Sequence, residues 1–196
     1  GELSPEKSLS IEGGVQYFTD KVSLQAVYFS RSIQDNIVFV NTNTSPYGYY
    51  ANADKQKDKG LEFEASIDFG KVQLNANYTN LDGKIETKAG AKDTSFFNLY
   101  RRPRQTINLN VGIDLCKNWN MNFGVQSIGK RYEGQYNAAP VEMPAYYVWN
   151  LYSTYTISKN IKAFVDFKNI TDEKYSDVYG YNSRRFNFMA GVNLNL

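Results

Sequence analysis

The amino-acid sequence predicts an all-β fold, an antiparallel transmembrane β-barrel meander of about nine strands. Three observations predict it. Apolar and polar side chains alternate with a two-residue period. That alternation creates a face without charge. The connections between strands are short and long by turns.

A strand sends successive side chains to opposite faces, so alternation marks a sheet with one apolar and one wet side. The strands are predicted at 8–18, 21–39, 58–69, 71–83, 98–115, 118–132, 144–157, 160–170 and 184–196. In the first, Leu9, Ile11, Val15 and Tyr17 take every second position; in the second, Val22, Leu24, Ala26 and Tyr28 do so. In the third, Leu61, Phe63, Ala65, Ile67 and Phe69 alternate with Glu62, Glu64, Ser66 and Asp68. Val72, Leu74, Ala76 and Tyr78 alternate with Gln73, Asn75 and Asn77. Ile107, Leu109, Val111, Ile113 and Leu115 carry the fifth, and Trp119, Met121, Phe123 and Val125 the sixth. Tyr147, Trp149, Leu151 and Tyr155 mark the seventh, and Ile161, Ala163, Val165 and Phe167 the eighth. Phe186, Phe188, Ala190, Val192, Leu194 and Leu196 alternate through the last. Each segment is about ten residues long, the length a tilted strand needs to cross a bilayer.

Tight connections fall at Thr19-Asp20-Lys21, Gly70-Lys71, Cys116-Lys117-Asn118 and Ser158-Lys159-Asn160. Longer polar stretches occupy 41–57, 84–97, 133–143 and 171–183. Outer-membrane barrels have short periplasmic turns and long outer loops, whereas a soluble sandwich requires no such asymmetry. The four tight turns are expected at one end.

None of the outward positions carries Asp, Glu, Lys or Arg. Random placement over about forty such sites would put about nine charges there. A lipid-facing Lys or Arg at the midplane costs about 2–4 kcal/mol, which accounts for the gap. Leu74, Leu109, Phe123, Val165 and Phe188 are expected on the convex outer face, and Asn75, Asn110, Asn122, Asp166 and Asn193 on the concave one. Glu12, Glu62, Glu64, Asp68, Asp114 and Lys162 also fall on the second face and suit a wet or plugged lumen. Tyr17, Phe69, Trp119 and Tyr155 sit beside the short turns, and Tyr28, Tyr78, Tyr147 and Phe186 toward the other ends. Such rings favour the headgroup layer, where the body is buried and the polar atom stays wet.

Composition narrows the function. The chain has 196 residues, is 42% hydrophobic and carries a net charge of only +2. No strong pull toward nucleic acid follows. The mean hydropathy is −0.52, and no apolar run is long enough for a membrane helix. A β-barrel hides its hydrophobicity in alternation, so neither value argues against a membrane. There is no His and only one Cys, Cys116, which reads as a solitary unreactive thiol. Without His there is no triad; there is also no Gly-rich phosphate loop and no Cys/His metal spacing. The expectation is no enzyme, no metal and no cofactor. Glu62 and Glu64 lie two apart like a glycosidase pair, but lumen lining explains them more simply.

Several segments resemble a known family. Leu3-Ser4-Pro5-Glu6-Lys7-Ser8 followed by Glu12-Gly13 resembles the start of late strands in TonB-dependent receptors. Lys59-Gly60-Leu61-Glu62-Phe63-Glu64 resembles their "K-G-x-E-x-E" strand. Arg102-Pro103 and Arg131-Tyr132 resemble a strand beginning and a strand exit. Asn169-Ile170-Thr171-Asp172-Glu173-Lys174-Tyr175, with Gly180-Tyr181 after it, resembles the segment before the last strand. In order and spacing these matches cover nearly the whole chain and are similar to the C-terminal barrel portion of siderophore and cobalamin receptors. Many relatives end in an aromatic, whereas this sequence ends Asn195-Leu196.

The resemblance implies a bacterial outer-membrane transporter of about 22 strands. It implies a plug and a segment that recruits TonB, neither of which lies in this sequence. Residues 1–196 are therefore expected to be a partial barrel domain. An odd number of strands ending on the turn side fits such a piece, as does a start at Gly1 with no signal peptide. These residues alone are not expected to close a ring. The implied function is import of a scarce ligand, such as a siderophore–iron complex or cobalamin. Partners would be outer-membrane lipid and lipopolysaccharide, the remaining barrel and plug, TonB through the plug, and the small-molecule ligand. Candidate ligand contacts are the loop aromatics Tyr47, Tyr49, Tyr50, Phe96, Phe97, Tyr136, Tyr179 and Tyr181; the alternative reading is that they pack loop on loop or sit in the outer girdle. Arg101, Arg102 and Arg104 read either as an anion-attracting group or as a solvated cluster. The alternatives are a passive pore or small stand-alone barrel, and a soluble lipocalin-like carrier with its apolar face inside.

Overall fold

The computed structural model describes residues 2–42, 44–52, 55–89, 92–96, 101–135 and 138–195. Its elements are β1 (Lys7–Phe18), β2 (Val22–Gln34), β3 (Ile37–Asn41), β4 (Gly48–Asn52), β5 (Lys55–Asp68), β6 (Val72–Ala89), β7 (Lys92–Phe96), β8 (Gln105–Cys116), β9 (Trp119–Ile128), β10 (Arg131–Gln135), β11 (Ala138–Met143), β12 (Tyr146–Ser158), β13 (Ile161–Lys168) and β14 (Asn187–Leu194). Nine form one path, β1-β2-β5-β6-β8-β9-β12-β13-β14, with β7 paired to β6 beside it. Every pairing along the path is antiparallel. These nine are the predicted wall strands in the predicted order. Among the described residues β1 and β14 end the path and do not pair with each other.

The four tight turns share one rim. The Asp68 amide donates to the Lys21 carbonyl at 2.8 Å, Asp114 to Lys71 at 2.8 Å, Thr156 to Asn118 at 2.8 Å and Asn195 to Asn160 at 2.9 Å. Each turn is thus tied to the strand that follows the next crossing. The opposite rim carries three further hairpins, which correct the predicted boundaries. The strand predicted at 21–39 stops at Gln34, because Asp35 adopts φ 56° and turns the chain into a separate β3–β4 hairpin. Of the strand predicted at 98–115, residues 98–100 lie outside the described residues; from Arg101 on, the strand begins at Gln105, and Arg101, at φ 63°, sits in a turn ahead of Pro103. The strand predicted at 118–132 breaks after Ile128, and Arg131–Gln135 pairs with β11 instead.

Register sorts the side chains into two faces. On one, Val22, Ile67, Leu74, Val111, Phe123, Leu151, Phe167 and Phe188 are successive cross-strand partners. The neighbouring row runs Tyr17, Leu24, Ala65, Ala76, Leu109, Val125, Trp149. On the other face, Ser23, Ser66, Asn75, Asn110, Gly124 and Asn150 align. Asn122 pairs with Tyr152, which pairs with Asp166 on this same face. Polar side chains there bond across strands: Ser66 Oγ to Asn75 Oδ1 at 2.9 Å, Asn108 Nδ2 to Asn77 Oδ1 at 2.8 Å, and Asn120 Nδ2 to Asp114 Oδ1 at 2.9 Å. A hollow of about 270 Å³ on this polar side is lined by Gln25, Glu64, Ser66, Asn75, Asn77 and Asn110.

The wall is a single layer, and large apolar side chains stand exposed on one of its faces. Val15, Tyr17, Phe69, Phe188 and Leu194 are each at least 60% exposed. Among the described residues the buried set is mostly polar: Gln56, Asp58, Arg131, Glu133, Thr154 and Asn169 against Met143, Tyr146 and Val148. An exposed apolar face on this scale marks a surface that membrane or another protein covers. The polar face has its own fillers. Phe29 lies opposite Gly60 and Phe164 opposite Gly191, and each ring occupies the space a Cβ would need, 2.5 Å and 2.7 Å from its ideal position.

Candidate ligand-binding rim

The long-loop rim gathers nearly all the buried polar groups, in three clusters. The first ties β2 to β5. Asp58, only 2% exposed, accepts from Arg31 Nε at 3.0 Å and from Arg31 Nη2. Gln56 Nε2 reaches Asp58 Oδ2 at 2.9 Å, and Asn36 Nδ2 reaches Gln56 Oε1 at 3.1 Å. A carboxylate taken from water needs this many donors. Alternation sets it up: along β5, Gln56 and Asp58 turn inward while Lys55, Lys57 and Lys59 stay exposed.

The β3–β4 hairpin rises beside this cluster. Asn52 clamps its base, its Oδ1 accepting from the Ser4 amide at 2.8 Å and its Nδ2 donating to the Asp35 carbonyl at 2.6 Å. Glu6 accepts from the Ile37 amide at 2.6 Å. Tyr47, Tyr49 and Tyr50 are all exposed on this hairpin, and Tyr50 meets Phe39 edge-on with ring centroids 5.2 Å apart.

The second cluster joins the segment before β8 to the β10–β11 hairpin. Arg101 Nε donates to the buried Glu133 at 2.7 Å, and its amide donates to the Tyr132 carbonyl at 2.8 Å. Glu142 receives Lys130 Nζ at 2.8 Å and the Tyr132 hydroxyl at 3.1 Å. Those two contacts hold its carboxyl below the usual carboxylate range.

The third cluster fastens residues 169–186 to the wall. Asn169, 2% exposed and at φ 52°, is bonded through its side chain to the amide and carbonyl of Glu173, at 2.9 Å each, and to the Arg184 carbonyl at 3.4 Å. Asn tolerates that left-handed backbone better than most residues. Asp172 accepts from Arg185 Nε at 2.7 Å and from the Phe186 amide at 3.0 Å, which hold its carboxyl below the usual range. Tyr175 stacks on Tyr146 at 4.3 Å. The buried Arg131 lies 5.3 Å over the Tyr146 ring and donates to the Ser176 carbonyl, while the Tyr146 hydroxyl donates to Asp177. Beside this latch a hollow of about 330 Å³ is lined by Glu142, Met143, Lys174, Tyr175, Tyr179 and Asn182. Its hydroxyls, amide, ammonium and carboxylate suit a polar ligand with aromatic character.

The eight sequence-derived aromatics are therefore not brought into one site. Tyr179 lines this hollow and Tyr181 is exposed on the same segment; Tyr47, Tyr49 and Tyr50 stand on the β3–β4 hairpin. Phe96 ends β7, and Phe97 and Tyr136 lie outside the described residues. Of the three arginines, Arg101 pairs with Glu133 and Arg104 with Asp82 at 3.7 Å. Glu62 and Glu64 sit on the polar face of the wall, paired with Thr79 and Asn77. Sequence reasoning passed over Asp58 and Glu133 and met Arg131 only as part of a strand-exit motif, because their burial has no local signature beyond alternation.

The family model described as "TonB dependent receptor-like, beta-barrel" matches residues 1–170. The chain belongs to the TonB-dependent receptor β-barrel family. Solved receptor structures share its fold at low identity. The ferric-catecholate import receptor Fiu from K12 E. coli matches at TM-score 0.79 and 18% identity, over 98% of this chain and 28% of Fiu. The pyoverdine outer membrane receptor FpvA from Pseudomonas aeruginosa PAO1 matches at TM-score 0.79 and 19% identity, over 99% of this chain and 30% of FpvA. The FrpB iron transporter from Neisseria meningitidis matches at TM-score 0.77 and 16% identity, over 98% and 32%. This receptor chain thus spans less than a third of the length of those structures. Family membership leaves no ground for the lipocalin-like reading, which also requires the apolar face to be the covered one.

Proposed function

We propose that this chain is part of the wall and outer rim of a bacterial outer-membrane receptor that imports a scarce metal–chelator complex with energy from TonB. In this reading residues 1–196 are a partial barrel domain near the C-terminal end of a ring of about 22 strands. The remaining strands and the plug come from the rest of the receptor, and TonB acts through that plug. The observation that carries the reading is the pairing of a charge-free exposed face with a buried polar rim, in a chain of this family. The chemistry is binding and release without bond making. Tyr179 and Tyr175, with Lys174 and Asn182, are the proposed contacts nearest a formed hollow. Tyr47, Tyr49, Tyr50 and Tyr181, all exposed, are proposed as further contacts on the same rim.

The test is uptake of radiolabelled ferric siderophores by cells carrying the full-length receptor, with and without TonB. The expected result is accumulation only with TonB, reduced about tenfold by the pair Tyr179→Ala and Lys174→Ala. Accumulation independent of TonB would favour a passive pore and overturn the reading.

A further inference from the structure

One carboxylate at the loop rim stands between two donors. Asp177 belongs to the segment between β13 and β14, and its side chain is 62% exposed. Its Oδ1 accepts from the Tyr146 hydroxyl and lies 3.8 Å from Arg131 Nη2. That distance is too long for a hydrogen bond, since charge-assisted N–H···O contacts close at about 2.8 Å. The Arg131 side chain is only 4% exposed. Its Nη2 donates to the Ser176 carbonyl, but its Nη1 is buried with no hydrogen-bond partner among the described residues. An unsatisfied donor on a buried charged group is costly, so an arrangement that supplies an acceptor is favoured. Asp177 is the carboxylate at hand. Guanidinium and carboxylate match in shape, and an approach of about 1 Å would set Nη1 and Nη2 against its two oxygens.

Tyr146 holds that carboxylate off. Its ring is buried, packed by the Arg131 guanidinium at 5.3 Å and by Tyr175 at 4.3 Å, and its backbone is paired with Ile128 in the wall. The hydroxyl is therefore fixed, and the exposed Asp177 side chain is the part with room to pivot. The same two elements wall the hollow of about 330 Å³. Val141, Met143 and Pro144 line it from the β10–β11 side, and Ser176, Tyr179 and Asn182 from the segment before β14. Arg131 pairs with Met143 across the hairpin, and Asp177 directly follows Ser176. Drawing Asp177 to Arg131 thus draws one wall of the hollow toward the other.

We propose that Asp177 exchanges between the Tyr146 hydroxyl and the Arg131 guanidinium, and that this exchange widens and narrows the hollow beside it. The state held by Tyr146 is the open one. The state held by Arg131 satisfies the buried Nη1 and brings the two walls together. Its use in import rests on the reading of this hollow as a ligand contact; the exchange itself needs no ligand.

The experiment is amide hydrogen exchange in the full-length receptor in detergent, without ligand, read over residues 174–182 and scaled to exchange across β13. Tyr146→Phe keeps the ring and removes the competing hydroxyl. The expected result is exchange about threefold slower than in the unmodified receptor, because Asp177 passes to Arg131. Asp177→Asn removes the charge that Arg131 attracts and is expected to speed exchange about tenfold. Arg131→Lys keeps the charge but does not span both oxygens, so Tyr146→Phe in that background should no longer slow exchange. A hydrogen bond with a structural role alone predicts the opposite sign for Tyr146→Phe, so faster or unchanged exchange in that variant overturns the switch. Slowing that persists in the Arg131→Lys background also overturns it, as does Asp177→Asn exchange no faster than in the unmodified receptor. Exchange that follows the expected signs in a receptor that imports nothing supports the switch and refutes the import reading alone.

Discussion

The two rims of this sheet are built on different principles. At the turn rim, four links of a few residues are fixed by backbone hydrogen bonds to the next strand over, and the side chains there stay exposed. At the loop rim, the β2–β5 pairing, the β10–β11 hairpin and a long irregular segment are held by buried side chains: Asp58, Glu133, Arg131 and Asn169. The turn rim depends on backbone geometry that many sequences can supply. The loop rim depends on particular polar groups meeting across the fold. The difference teaches where the individuality of this sheet resides, since generic turns join the wall strands while specific locks shape the opposite rim.

Three substitutions or titrations break or sharpen that contrast. The largest effect is expected from Asn169→Ala in the full-length receptor. It removes bonds to Glu173 and Arg184 and leaves an alanine at φ 52°. Buried polar loss and left-handed strain together predict a cost of about 3 kcal/mol. Denaturant unfolding in detergent should register it, with rapid protease cleavage between residues 170 and 185; an unchanged midpoint would mean the lock is dispensable.

A smaller effect is expected at the other rim. Gly70 sits at φ +81° with open space around its missing Cβ. Gly70→Ala therefore meets backbone strain alone, about 1 kcal/mol. The same unfolding assay should show a modest shift with no new cleavage at the loop rim. A cost equal to that of Asn169→Ala would erase the distinction between the rims.

The smallest effect is a titration. Asp172 is held below its ordinary range by Arg185 and the Phe186 amide. A depressed folded-state value means the latch is fully present above the unfolded aspartate range, about pH 3.9, and fades as pH falls through the lower folded value. Pepsin cleavage within residues 170–185, scaled to cleavage at the turn rim, should rise as pH falls from about 5 to about 2. Asp172→Asn should flatten that rise, and a rise that survives it would assign the acid sensitivity elsewhere.

The wall was legible in the sequence because alternation is a local property. Leu61 through Phe69 and Ile107 through Leu115 declare their faces without reference to any partner, and Gly70 or Ser158-Lys159-Asn160 mark the turns in place. The loop hairpins were not legible for the same reason. Ile37 to Val40 continues the apolar rhythm of β2, and only the left-handed Asp35 separates them. The locks were harder still. Arg31 meets Asp58 across 27 residues, Arg101 meets Glu133 across 32, and Arg131 meets Ser176 across 45. Single polar residues in a polar loop carry no mark of the partner they will find. The Asn169–Tyr175 segment was noticed by its resemblance, and its bonds explain it: Asn169 closes the turn and Tyr175 stacks on Tyr146.

The outward row that contains Trp149, and the Trp119 indole that donates to Ser153 at 2.9 Å, have a spectroscopic consequence. Both tryptophans of the chain stand on the apolar face, Trp119 by the turns and Trp149 toward the loops. Under the proposed membrane placement their emission would report acyl-chain depth in each leaflet rather than cargo on the polar face. Lipids brominated at graded positions would read the two indoles as a pair of rulers fixed to opposite halves of the bilayer.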